Sequence, residues 1–256
     1  MIAEIEILKL FVLVMVRFTG LIVTAPILSS NNFPIMGKIG LVGLAAYVVT
    51  PTLPVLPTPL PADPLPFALI GASELLIGMV IGLVMQIMFA AIQIAGQVMD
   101  MQSGFGLINV FNPAFETQVP LFGFVFFILA VLYLLTISGH HLMIQALVST
   151  FERIPVGGFA PETSAMGQVA AWGGLMFHDA VLLAAPVAGA MMLAYVTMGI
   201  MGRVVPQLNL FVIGFPLTIA ASLFVAALSI NYYRELLDQM FTSMFRQVDG
   251  LIDRLG

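Results

Sequence analysis

The chain of 256 residues is 61% hydrophobic and 8% charged, with a formal net charge of -5 and a mean hydropathy of +1.10. A soluble domain carries roughly a quarter charged residues, so eight basic and thirteen acidic side chains cannot cover a water-facing surface of this size; lipid or protein must cover most of it. The negative balance excludes a nucleic-acid partner on electrostatic grounds, and the absence of cysteine excludes disulfides, thiolate metal sites and a cysteine nucleophile.

The hydropathy pattern predicts an all-α, polytopic hydrophobic helical protein. An apolar helix needs about 20 residues to cross the hydrocarbon core, and six segments approach or reach that length. The first ten residues hold Glu4, Glu6 and Lys9 rather than a basic leader and a small-residue cleavage site, so no removable secretory leader is read there. The first segment, residues 8–28, is interrupted by Arg17. The second, 39–53, is short and runs into a stretch, 51–66, in which proline recurs every two or three residues. Such a stretch is expected to be an extended connector, either a stiff spacer or a docking surface.

The third segment, 67–100, is too long for one membrane crossing, so it must tilt, break or project. The fourth, 121–148, carries His140 and His141, and the fifth, 169–201, has Pro186 as an expected kink. The sixth, 208–230, contains Pro216. With six spans, basic residues divide five to two in favour of a cytoplasmic N-terminus: Lys9, Arg153, Arg234, Arg246 and Arg254 against Lys38 and Arg203. The tail, 232–255, places Leu237, Met240, Phe241, Met244, Val248, Leu251 and Leu255 at helical spacing. That pattern predicts an amphipathic helix lying on a membrane or docked on a partner.

Few residues suggest chemistry. A mid-span Arg is costly and faces protein rather than lipid; Glu74, early in the third segment, is the candidate partner of Arg17. At 100° per residue, Gly78, Gly82, Gln86, Gln93, Gly96, Gln97 and Asp100 share one face. Small residues there allow close helix approach; the polar ones suit either a packed interface or the wall of a wet conduit. Beyond that face, Gly104 and Gly106 break the helix, and Phe105, Leu107, Ile108, Val110 and Phe111, followed by Pro113, make an apolar loop. At membrane depth such a loop must be enclosed by protein or line a pore, and its side chains could exclude water as a gate. Adjacent His140 and His141 point about 100° apart on a helix and make a poor shared metal site; with His178 and Asp179 they are read as packing groups. Met-rich composition is read as gap filling. No motif for a metal, nucleotide or other cofactor is found.

Several stretches together resemble the FliR family of flagellar type III export-gate subunits. They are Arg17-Phe-Thr-Gly20 with Ala25-Pro26, and Ala95-Gly-Gln-Val-Met-Asp-Met-Gln-Ser-Gly-Phe105. Asn112-Pro113 follows, where the family usually has Asp-Pro. Then come Gly139-His-His141, Ser149-Thr-Phe151, Pro155-Val-Gly157, and the most specific block, Val205-Pro-Gln-Leu-Asn-Leu-Phe211 with Val212-Ile-Gly-Phe-Pro216.

The resemblance implies a non-enzymatic subunit built from long helical hairpins like a FliP–FliQ fusion, with a FliP-like part over about 1–200 and a FliQ-like hairpin over about 201–256. It implies a helical hetero-oligomer with FliP-like and FliQ-like subunits, contact with FlhB-like and FlhA-like components and membrane lipid, and passage of unfolded flagellar subunits. The implied location is the bacterial inner membrane at the flagellar basal body. In the family the loop after the long helix belongs to a pore plug, which maps to Gly104, Phe105, Gly106, Leu107, Ile108, Val110, Phe111 and Pro113. The alternatives are a small proton-coupled secondary transporter, which should show internal repeats, and a membrane enzyme built on the histidines.

Overall fold

The computed structural model describes residues 2–30, 33–53, 60–106, 120–159, 164–207 and 209–255. Every regular element among them is helical: α1 (Ile2–Thr24), α2 (Ile35–Val49), a 3-10 turn (Thr50–Thr52), α3 (Pro64–Ser103), α4 (Leu121–Thr136), α5 (Gly139–Arg153), α6 (Ser164–Val204), α7 (Leu210–Leu228) and α8 (Ile230–Leu255). Among the described residues, four helices are long and apolar enough to cross a membrane, and up to six spans result if α4 with α5, and α7 with α8, each count as one broken span. Backbone polar groups satisfied within helices are what a bilayer demands, and the chain is a polytopic α-helical membrane protein.

Three elements differ from the pattern-based expectation. The proline-rich connector ends early, because α3 starts at Pro64 and takes Pro64 and Pro66 into its first turn. The missing proline N–H costs nothing there, since first-turn N–H groups have no intrahelical partner. Residues 54–59 lie outside the described residues. The fourth segment is two helices: the chain breaks at Ile137 and Ser138, with Ser138 in the left-handed region at φ 56°. Gly139 then sits so close to Leu134 that a Cβ would meet its side chain at 2.7 Å. A hydropathy window averages over such a break, because both halves are apolar or amphipathic.

The third difference is the tail. α8 is amphipathic as expected, but Leu237, Met240, Phe241, Met244, Val248, Leu251 and Leu255 are all buried by the chain itself. Its apolar face is therefore not free to lie on a membrane.

The chain divides into two compact units. The first comprises residues 1–88, 134–172 and 242–256. Its centre is the contact between α1 and the first half of α3, where glycines let the backbones touch. A Cβ on Gly78 would collide with the carbonyl oxygen of Arg17, one on Gly82 with Thr24, and one on Gly20 with the carbonyl of Leu75. Thr24 adds a hydrogen bond from its hydroxyl to the Met79 carbonyl at 3.1 Å. In lipid, where apolar burial gives little drive for helix association, such small-residue packing and interhelical hydrogen bonds are the main cohesive terms. Leu13, Phe18, Leu21, Ile77, Ile81 and Met85 fill the surrounding core.

The second unit comprises residues 89–133 and 173–241. Here α4 buries Phe122, Phe126 and Ala130 at four-residue steps. Aromatic rings tie it to its neighbours: Phe89 meets Phe127 and Phe241 edge-on at 5.7 and 6.0 Å, and Phe126 meets Tyr233 at 4.7 Å. Each such pair contributes about 0.5–1.5 kcal/mol beyond area burial. By contrast, α2 and α6 expose most of their apolar side chains, with only 22% of each candidate span buried. Pro186 and Pro216 lie inside α6 and α7, which continue through them.

Candidate functional site

Among the described residues, two buried polar constructions stand out, one in each unit. In the first, Arg17 is wholly buried on α1 and faces Glu74 on α3, also wholly buried. Arg17 Nε donates to Glu74 Oε2 at 2.5 Å, Nη1 to the Thr150 hydroxyl at 2.9 Å, and Nη2 to the Ile154 carbonyl at 3.1 Å. The guanidinium carbon stands 4.0 Å from the centre of the Phe151 ring, a cation–π geometry. Glu74 spends its second oxygen on the Gly157 N–H at 3.0 Å. Gly157 adopts φ 81°, a left-handed turn that suits glycine. Each guanidinium nitrogen and each carboxylate oxygen therefore has a partner, which is the condition under which a buried ion pair is tolerated. The arrangement has no open side where a substrate could reach it.

The second construction lies at the C-terminal end of α3. Asp100 is buried, and its carboxylate accepts from the Phe122 N–H, with both oxygens at 3.1 Å, and from the Gly123 N–H at 3.5 Å. It thereby caps the first turn of α4 across the chain. Gly96, one turn earlier, packs directly against the backbone of Gly123. The last carbonyls of α3 are also taken: Tyr195 of α6 donates to Gln102 O, and Thr218 of α7 donates to Ser103 O at 2.9 Å. Gly104 ends the helix at φ 94°, and a Cβ there would stand 3.0 Å from the Phe215 ring. Phe105 meets Phe122 edge-on at 5.8 Å.

The residues singled out in the sequence separate accordingly. Asp100 and the glycines of the α3 face are buried contacts, whereas Gln93 and Gln97 are exposed and Gln86 is half-buried. That face is neither wholly packed nor wholly wet. Of the apolar loop, Gly104, Phe105 and Gly106 are described; Leu107, Ile108, Val110, Phe111 and Pro113 lie outside the described residues. His140 and His141 have ring centres 4.1 Å apart, and His178 pairs with Asp179 at 3.1 Å on an exposed part of α6. Among the described residues no group of three potential metal ligands converges. An open groove of about 360 Å³ between α1 and α2, lined by Ile7, Leu8, Phe11, Tyr47, Thr50, Pro51 and Glu4, offers no convergent polar set for catalysis.

Sequence reasoning missed Thr150, Gly157, Tyr195 and Thr218. Thr218 carried a usable signal, because a hydroxyl in an apolar run must find an acceptor. Gly157 carried none beyond its place in the Pro155-Val-Gly157 stretch.

The fold is that of a polytopic helical membrane protein, and the buried polar groups around Arg17 and Asp100 fasten its helices to one another. Comparison with known proteins gives the family. The sequence model of the bacterial export proteins, family 1, matches residues 8–244. Flagellar biosynthetic protein FliR of Escherichia coli (strain K12) is 31% identical over 249 residues, covering 97% of this chain and 94% of that protein. The FliR proteins of Bacillus subtilis (strain 168) and Pectobacterium carotovorum subsp. carotovorum are each 31% identical, covering 98% and 94% of this chain and 98% and 92% of those proteins. The chain belongs to the FliR family of bacterial export proteins.

Proposed function

We propose that this chain is a subunit of the flagellar type III protein export gate in the bacterial inner membrane, and that residues 104–113 contribute to a plug that seals its closed pore. Its partners are FliP-like and FliQ-like subunits in a hetero-oligomer, with FlhB-like and FlhA-like components alongside. Its own residues 1–200 correspond to a FliP-like part and 201–256 to a FliQ-like hairpin. Unfolded flagellar subunits pass through the pore, and this chain catalyses no reaction of its own.

The observation that carries the reading is the near-full-length match to the export family. Two features agree with it. The apolar side chains of α2 and α6 stand exposed along helices that need lipid or neighbouring subunits to cover them. The apolar run after Phe105 starts from a firmly held helix end, and apolar constrictions close pores by excluding water. Energy for transport must come from other components, since the chain has no nucleotide-binding motif.

The test is deletion of residues 107–113, which leaves the contacts of Asp100, Ser103 and Gly104 in place. Ion leakage through assembled gates is the expected result. Assembled gates that stay tight after the deletion would remove the plug role.

A further inference from the structure

We propose that Asp100 is a positioning residue that, with Tyr195 and Thr218, closes a collar joining the end of α3 to the start of α4, and that the collar stays shut while a substrate passes. The second half of the proposal rests on the plug reading above; the first half does not.

A helix end leaves four carbonyls without intrahelical partners, and a helix start leaves four N–H groups. At most helix starts the capping side chain belongs to the residue just before the first turn. Here the cap of α4 comes from Asp100, 22 residues earlier than Phe122. One carboxylate therefore ties together the facing ends of two helices separated by residues 104–120 of the chain. The carbonyls of Gln102 and Ser103 are closed by hydroxyls from two further helices, α6 and α7. Gly96 and Gly123 pack backbone to backbone, leaving no room for a Cβ between the two helices. Parting α3 from α4 would strand a carboxylate and backbone groups in apolar surroundings, where unpaired polar groups are strongly penalised.

The collar also bears on the part played by Gly104. A glycine in a loop suggests a hinge, but this one is fixed on both sides. Its left-handed φ terminates α3, the Phe215 ring lies against it, and the residue before it is held by Thr218. It is a helix terminator, and rotation about it would break the Ser103–Thr218 contact.

The experiment uses the assembled gate. Ion leakage per assembled gate is measured for Asp100→Ala and Asp100→Asn, with assembly quantified in parallel. A residue needed only for stability lowers the number of gates and leaves each one tight. A positioning residue raises leakage per gate, and Asn, which keeps an acceptor oxygen for the Phe122 N–H, restores tightness. Where gates lacking 107–113 leak, tight Asp100→Ala gates overturn the proposal. If that variant does not assemble, Thr218→Val is read the same way, with leaky gates supporting the collar and tight gates overturning it.

Amide hydrogen exchange at Phe122 and Gly123 supplies a readout independent of sealing. Slow exchange in the parent gate and fast exchange in Asp100→Ala are expected; equal rates overturn the collar. If exchange responds as expected while gates lacking 107–113 remain tight, the plug reading falls and the collar stands. Slow exchange that persists with a substrate stalled in the gate supports a collar that stays shut, and lost protection overturns that half.

Discussion

Replacing Glu74 by Gln should be among the most damaging near-isosteric changes in the first unit. Glu74 has two oxygens, and both are occupied: Oε2 by Arg17 Nε at 2.5 Å and Oε1 by the Gly157 N–H at 3.0 Å. Glutamine offers one acceptor oxygen and an NH2 group, so one of those donors would face another donor. The Arg17 charge would also lose its counter-charge at a site of zero exposure. Removing one member of a buried pair costs about 3–5 kcal/mol, or roughly two to three and a half powers of ten in the folded-to-unfolded ratio. Arg17→Met alone should also destabilise, by stranding the Glu74 carboxylate.

Combining Arg17→Met with Glu74→Met removes both charges. It leaves the Ile154 carbonyl and the Gly157 N–H without these partners, at about 1–3 kcal/mol each, while Thr150 retains its bond to the Leu147 carbonyl at 2.6 Å. The double variant should therefore cost clearly less than the two single-methionine variants, Arg17→Met and Glu74→Met, added together. Trp172, the only tryptophan and fully buried in the same unit, reports unfolding by fluorescence in a denaturant titration. Additive single and double effects, or a Glu74→Gln shift below about 1 kcal/mol, would refute the view that this pair is an interdependent buried node.

Glycine substitutions should split by their surroundings. Gly78→Ala drives a methyl into the Arg17 backbone and should separate α1 from α3, whereas Gly189→Ala on α6 meets open space and should be neutral or gain up to about 1 kcal/mol from helix propensity; thermal unfolding of both variants compares them. The Arg153–Asp253 pair, at 2.7 Å but with side chains 42% and 66% exposed, should contribute no more than about 1 kcal/mol, so Arg153→Ala should leave the Trp172 transition nearly unmoved.

The sequence by itself determined the class of protein and the local chemistry that needed a solution. Its composition left too few charges for a water-facing surface. Arg17, in the middle of an apolar segment, required a counter-charge, and Glu74, early in another apolar segment, was the candidate. Gly78 and Gly82 announced close helix approach, and the tail's spacing announced an amphipathic helix. Composition, the placement of each charge within an apolar run, and helical spacing are all properties that a one-dimensional pattern records.

Only the tertiary structure decided which neighbour answers each need. Thr150 and the Ile154 carbonyl lie 133 and 137 residues from Arg17 in the chain. Asp100 shares a helical face with Gln93 and Gln97, yet it alone of the three turns into the protein, because the start of α4 arrives opposite it and supplies two N–H donors. The tail helix is covered from within for a similar reason: periodicity shows that a helix has an apolar side, but not what will lie against it. Even the break at Ser138 escaped the pattern, since hydropathy is indifferent to the sign of φ and a single left-handed residue redirects the chain.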